Sequence, residues 1–96
     1  MLSNTELFRA LTGDAEKLKN MVNTTIKVVE ADTVETDKKI AVIKTADGNL
    51  FVSSSRNVVQ VVPLLKNLVE LKPVELFVSA TDIGGGKSTL NIKLKD

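Results

Sequence analysis

Apolar positions change period several times along the chain, and those changes mark its elements. Leu7, Phe8 and Leu11 recur at helical spacing behind the cap candidates Ser3, Asn4 and Thr5, which predicts a helix at the start. Gly13-Asp14 punctuates it, and Asp14 can cap a second turn with Leu18, Met21 and Val22 on one face and Glu16, Lys17, Lys19 and Asn20 on the other. Residues 1–22 therefore read as one bent helix or two short ones. From Thr24 the run Thr24-Thr25-Ile26-Lys27-Val28-Val29 is β-branched and predicts a strand continuing toward Val34. The polar stretch Glu35 to Lys39 reads as a loop. Ile40 to Thr45, apolar on both parities, is a second strand, and Asp47-Gly48 predicts a tight hairpin into a third, Asn49 to Ser53.

After the serines 53–55, Val58, Val62, Leu65 and Val69 fall at helical intervals over Arg56 to Leu71, and Val59, Val61, Leu64 and Leu68 widen the stripe. Pro63 disturbs this helix: it either kinks an interior turn or marks the first turn of a helix that starts later. Val74, Leu76 and Val78 alternate in a fourth strand, and Thr81 to Ser88 reads as a glycine-rich loop. The fifth strand, Thr89 to Lys95, alternates most clearly, with Leu90, Ile92 and Leu94 inward and Asn91, Lys93 and Lys95 outward. The order is thus a helical segment (1–22) followed by β-β-β-α-β-β (23–96), all in one domain. That order is expected of an OB-fold-like five-stranded barrel in a mainly β protein; a two-layer α+β sheet fits the same string.

Composition narrows the chemistry more than the fold. With 96 residues the chain holds a single small core, and it has neither cysteine nor histidine. Disulfides, thiolate zinc sites, cysteine nucleophiles and imidazole-dependent catalysis are excluded, so no enzyme and no cofactor is expected. The apolar run Val58 to Leu65 is far too short for a membrane span, and the first residues lack the pattern of a secretion signal, so a cytoplasmic protein is expected. Thirteen basic against 12 acidic side chains give a net charge of +1, which argues against a strongly basic DNA-packaging protein. Residues 49–96 carry the excess, with six basic and four acidic groups, and Lys87, Lys93 and Lys95 lie close together there.

Several segments resemble small single-stranded DNA-binding proteins encoded by phages of Gram-positive bacteria. They are Thr5-Glu6-Leu7-Phe8-Arg9-Ala10-Leu11, Thr25-Ile26-Lys27-Val28-Val29, Asp47-Gly48 with Val52 to Ser55, and Pro73-Val74-Glu75-Leu76 before a glycine and lysine loop. The resemblance spans nearly the whole chain and implies an OB-like protein that coats single strands during phage DNA replication, in the host cytoplasm. The absence of Tyr and Trp departs from what base stacking requires.

Single-strand binders combine a basic groove with aromatic platforms. The candidate cations are Lys38 and Lys39 in the loop between the first two predicted strands, Lys87 in the loop between the last two, and Lys44, Arg56, Lys93 and Lys95. Each alone is an ordinary solvated charge; as a set on one face they would track phosphates. Arg56 sits at a helix start, where anions are favoured, so a phosphate contact or a loop salt bridge accounts for it. Phe51 has parity opposite to Leu50 and Val52 and is a candidate stacking residue, with core or interface as the alternative. Phe77 is expected to face outward and dock the N-terminal helix, and Phe8 to lie on that helix's apolar stripe. Gly84-Gly85-Gly86-Lys87-Ser88-Thr89 imitates a P-loop but lacks its first glycine, having Thr81 there, and precedes a strand. Glu30, Asp32, Glu35 and Asp37 match no calcium loop and read as a solvated acidic ladder. The expected function is sequence-independent single-stranded DNA binding with possible self-association and no membrane partner. The alternative is a non-enzymatic interaction or assembly module in which Phe51, Phe77 and the helix stripe make subunit contacts.

Overall fold

A computed structural model describes residues 2–95. Its elements are α1 (Asn4–Leu11), β1 (Glu16–Lys17), a single 3-10 turn (Leu18–Met21), β2 (Thr24–Glu35), β3 (Lys39–Thr45), β4 (Leu50–Ser53), α2 (Arg56–Val69), β5 (Val74–Gly84) and β6 (Lys87–Leu94). The strands form one sheet in the order β1-β4-β3-β2-β5-β6, antiparallel except for β1 against β4. Twelve-residue β2 is the hub. Its first part, Thr24 to Val28, pairs with β5, and the stretch from Val28 to Glu35 pairs with β3 across a register shift between Val28 and Glu30. An irregularity of this kind bends a strand and increases its twist, and the sheet curls into a half-barrel.

α2 fills the concave side. Val58, Val62 and Leu65 are buried against Ile26, Val28, Ile43, Phe51, Leu76, Val78 and Leu90. The helix runs unbroken through Pro63, whose ring is exposed. Burial of the 58/62/65 stripe outweighs the one backbone hydrogen bond that proline removes. The Asp47-Gly48 turn forms as expected, with Gly48 at φ +88°.

The N-terminal segment departs from expectation. Only Asn4–Leu11 is α-helical; the second turn is a two-residue strand followed by the 3-10 turn. Leu18 is completely buried in the main core, with Met21 and Val22 packed beside it, so the expected apolar face is real while the element carrying it is not an α-helix. α1 covers the convex side of β3 and β4: Leu2 and Ala10 bury Val42 and Leu50, with Leu7, Val34 and Val52 around them. Phe8 points away from this contact and is 69% exposed, contrary to the expected role on the packed stripe. Leu94, expected inward, is also largely exposed.

Two polar ties fix α1. Ser3 and Glu6 form a reciprocal capping box, with the Ser3 hydroxyl accepting from the Glu6 amide and the Glu6 carboxylate accepting from the Ser3 amide, both at 3.1 Å. The same carboxylate takes Lys44 Nζ at 2.6 Å. Lys44 above all, then the Ser3 amide, holds the Glu6 carboxyl at about 2, below its ordinary 4.5.

Two outcomes are expected. Leu18→Ala should cost about 2–5 kcal/mol in urea melts, as core truncations do, whereas Leu71→Ala, at an exposed position, should stay within about 0.5 kcal/mol. For Glu6 the folded pKa lies below the unfolded one, so its contribution is complete above about pH 4.5 and fades as pH falls through about 2. Amide protection in α1, taken relative to intrinsic exchange at each pH, should therefore fall over that interval, and Glu6→Gln should remove the dependence. An unchanged acid profile in that variant would show that the Lys44 pair does not hold the helix.

Candidate nucleic-acid interface

The half-barrel leaves a seam between its β4 and β6 sides, and the first turn of α2 bridges it. Ser55 Oγ donates to the Leu90 carbonyl at 3.2 Å, and Asn57 Nδ2 donates to Asn91 Oδ1 at 2.8 Å. Because the Ser55 hydroxyl is spent on β6, it does not cap its own helix. Along this seam lies an open groove of about 790 Å³. Its floor includes Val22, Ile40, Val52 and Leu90, and its walls carry the hydroxyls of Ser53, Ser54, Ser55, Ser88 and Thr89.

Four cations line it, Lys17, Lys19, Lys38 and Arg56, and no carboxylate does. Each has a local reason for being there. Leu18 is drawn into the core, so its neighbours Lys17 and Lys19 are turned out on either side of it. Lys38 sits in the turn between β2 and β3, and Arg56 opens α2. The groove is thus a cationic, hydroxyl-walled channel, a chemistry that suits the phosphates of an extended polyanion.

Of the candidates named from sequence, the structure brings Lys38 and Arg56 into the groove. Lys39, exposed at the start of β3, adjoins Lys38 without lining it. The others go elsewhere. Lys44 is tied to Glu6 under α1, which raises its pKa. Lys93 stands opposite Phe77 across the β5–β6 pair, on the face away from the core. Lys95 lies on the same face, its Nζ 5.8 Å from the Phe77 ring centroid and 3.3 Å from Thr25 Oγ1.

Lys87 was expected in a loop, but β5 and β6 extend through most of that segment. What remains is a hairpin arm turned by Gly85 and Gly86, at φ +63° and +75°; positive φ at both central residues is what a two-residue turn of the primed kind requires. Lys87 opens β6 opposite Gly84, beside the turn, and the arm touches the groove through Ala80, Ser88 and Thr89.

The aromatic expectations need correction. Phe51 is 4% exposed in the main core and offers no stacking face. The parity argument assumed that β4 has one buried side; α1 buries the other, so Leu50 and Phe51 are both inside. Phe77 does not dock α1, which packs on β3 and β4, and its ring instead meets Lys95. No phenylalanine lines the groove.

Lys17 and Lys19 were not among the candidates. The usable signal was Leu18 between two lysines, which places both cations on the same side of the chain once the apolar residue is buried. Among the described residues no cluster of acidic side chains could hold a metal ion, and Asp32 of the acidic ladder accepts from Lys66 Nζ at 3.2 Å. No described helix is long and apolar enough to cross a membrane. No protein-family model, curated protein or solved structure matches this chain.

Proposed function

We propose that this protein binds single-stranded DNA without sequence preference, as an accessory of phage DNA replication, along the seam groove. The observation that carries the reading is the lining itself: four cations and no carboxylate in a chain whose net charge is only +1. Support also comes from the topology. A three-stranded meander, a helix and a hairpin, with the first strand of the meander central to both halves, are compatible with a partly open barrel of the OB type. The resemblance to phage single-strand binders points the same way.

The mechanism is phosphate neutralisation. Lys17, Lys19, Lys38 and Arg56 displace counterions from the backbone, while the hydroxyls of Ser53, Ser54, Ser88 and Thr89 donate to phosphate oxygens. Bases are not stacked, because no aromatic side chain lines the groove, so neutralisation of the backbone carries the binding without reading sequence. A flexible single strand can follow the curved seam more readily than a duplex, whose persistence length is about 150 base pairs. A second reading, a protein-interaction module, is favoured by the exposure of Phe8 and Leu71.

Anisotropy titrations of a labelled oligo-dT across a salt series test the first reading. With four phosphate contacts at most, log K against log salt should have a slope no steeper than about −2.8, and each of Lys17→Ala, Lys19→Ala, Lys38→Ala and Arg56→Ala should flatten it by about 0.7. Lys93→Ala, off the groove, should leave it unchanged. Equal binding of the duplex, or equal losses from Lys93→Ala and the groove variants, would reject the assignment; no binding at all leaves the interaction module.

A further inference from the structure

The β5–β6 arm is exposed along its length from Ala80 to Ser88, and at its end stands Ile83, 63% exposed. An aliphatic side chain presented this way is flanked by Asp82 and, across the turn, by Lys87. Elsewhere on the molecule, between the start of β2 and the β3–β4 turn, lies a second hollow of about 310 Å³. Its floor includes Met21, Ile26 and Phe51, and its rim carries Lys27 and Asp47. The Asp47 carboxylate is held in place by the Thr45 hydroxyl and by Asn49 Nδ2 at 3.1 Å.

We propose that the arm tip of one copy docks into this hollow of a second copy, with Ile83 on the apolar floor, Lys87 on Asp47 and Asp82 on Lys27. Both charges on the tip meet their opposites on the rim, and the one large apolar side chain of the arm meets an apolar floor. The arm cannot fill the hollow of its own chain. Lys27 and Ile26 pair with Glu75 and Leu76, whereas the arm continues past Val78, beyond the end of β2 in the other direction. Five further residues of strand carry Ile83 about 16 Å beyond Val78.

The contact is heterologous, since tip and hollow are different surfaces, so it propagates head to tail unless the rotation closes a ring. One arm tip buries much less than the roughly 1,600 Å² of a standard stable interface, so weak association that shows only at high protein concentration is expected. The inference stands apart from the nucleic-acid reading, and its test uses no nucleic acid.

Sedimentation velocity of the full chain from about 10 µM to about 1 mM provides that test. The parent should show a concentration-dependent rise in average sedimentation coefficient, and Ile83→Ser, at an exposed position that leaves the core intact, should abolish it. Lys87→Glu and Asp47→Lys should each weaken association by about tenfold or more, because each places like charges together. An equimolar mixture of these two variants should restore it, since every tip then finds a hollow of opposite charge. A monomeric parent at the highest concentration, an Ile83→Ser protein that associates like the parent, or a mixture no better than its components would each overturn the proposal.

Discussion

Everything about the placement of the groove depends on the burial of β3 and β4 from two sides. Ala41, Val42 and Ile43 are consecutive and all inside, which an ordinary strand with one wet face does not allow. Ala41 and Ile43 look toward α2 and Val42 toward α1. At about 25 cal/mol per Å² of apolar surface removed from water, this double cover is a large share of what a small domain can gather. It also takes Val42 and Leu50 on the convex face out of reach, leaving Ile40 and Val52 at the margin of that face to line the groove. What is left open is the seam, where sheet edges, the 3-10 turn and the start of α2 converge.

The sequence made some of this legible and concealed the rest for identifiable reasons. The β-branched run at Thr24, the Asp47-Gly48 turn and the alternation at Leu90 and Ile92 are local signals whose tertiary context agrees with them. The valine-rich helix was readable despite Pro63 because its stripe repeats over four turns. Phe51 was misplaced because parity along a strand reports inside against outside only when one side is wet. Ile40 to Thr45, apolar on both parities, already indicated two covered faces, and its neighbour β4 shares them. Leu18 illustrates a different limit: a single buried side chain fixes the orientation of Lys17 and Lys19 without any repeat from which to read it.

Net charge misleads here for a related reason. The total counts every charge alike, including pairs that cancel away from the seam, Glu6 with Lys44, Asp14 with Arg9 and Asp32 with Lys66, whereas the groove is lined by four cations and no carboxylate. With a screening length of about 8 Å at physiological salt, a phosphate in the groove is governed by the charges around it and hardly by the total. Four such contacts are a modest source of affinity. Base stacking, worth about 1–3 kcal/mol per base elsewhere, has no surface in this groove to add to it.

A weak, sequence-blind contact gains most from neighbours held on the same strand, and the arm has the position to supply them. It contributes Ser88 and Thr89 to the groove wall, and Ile83 follows Asp82, the partner of Ser88, next to the turn at Gly85 and Gly86. On the proposed reading, a copy seated on a strand presents its tip next to that strand. Two copies on one strand meet at an effective concentration set by their spacing, which reaches the millimolar range for short separations. That is above the weak affinity expected of a single tip in a single hollow. The proposed pairing, marginal in free solution, would then become favourable along a linear ligand, with no requirement for a tighter groove.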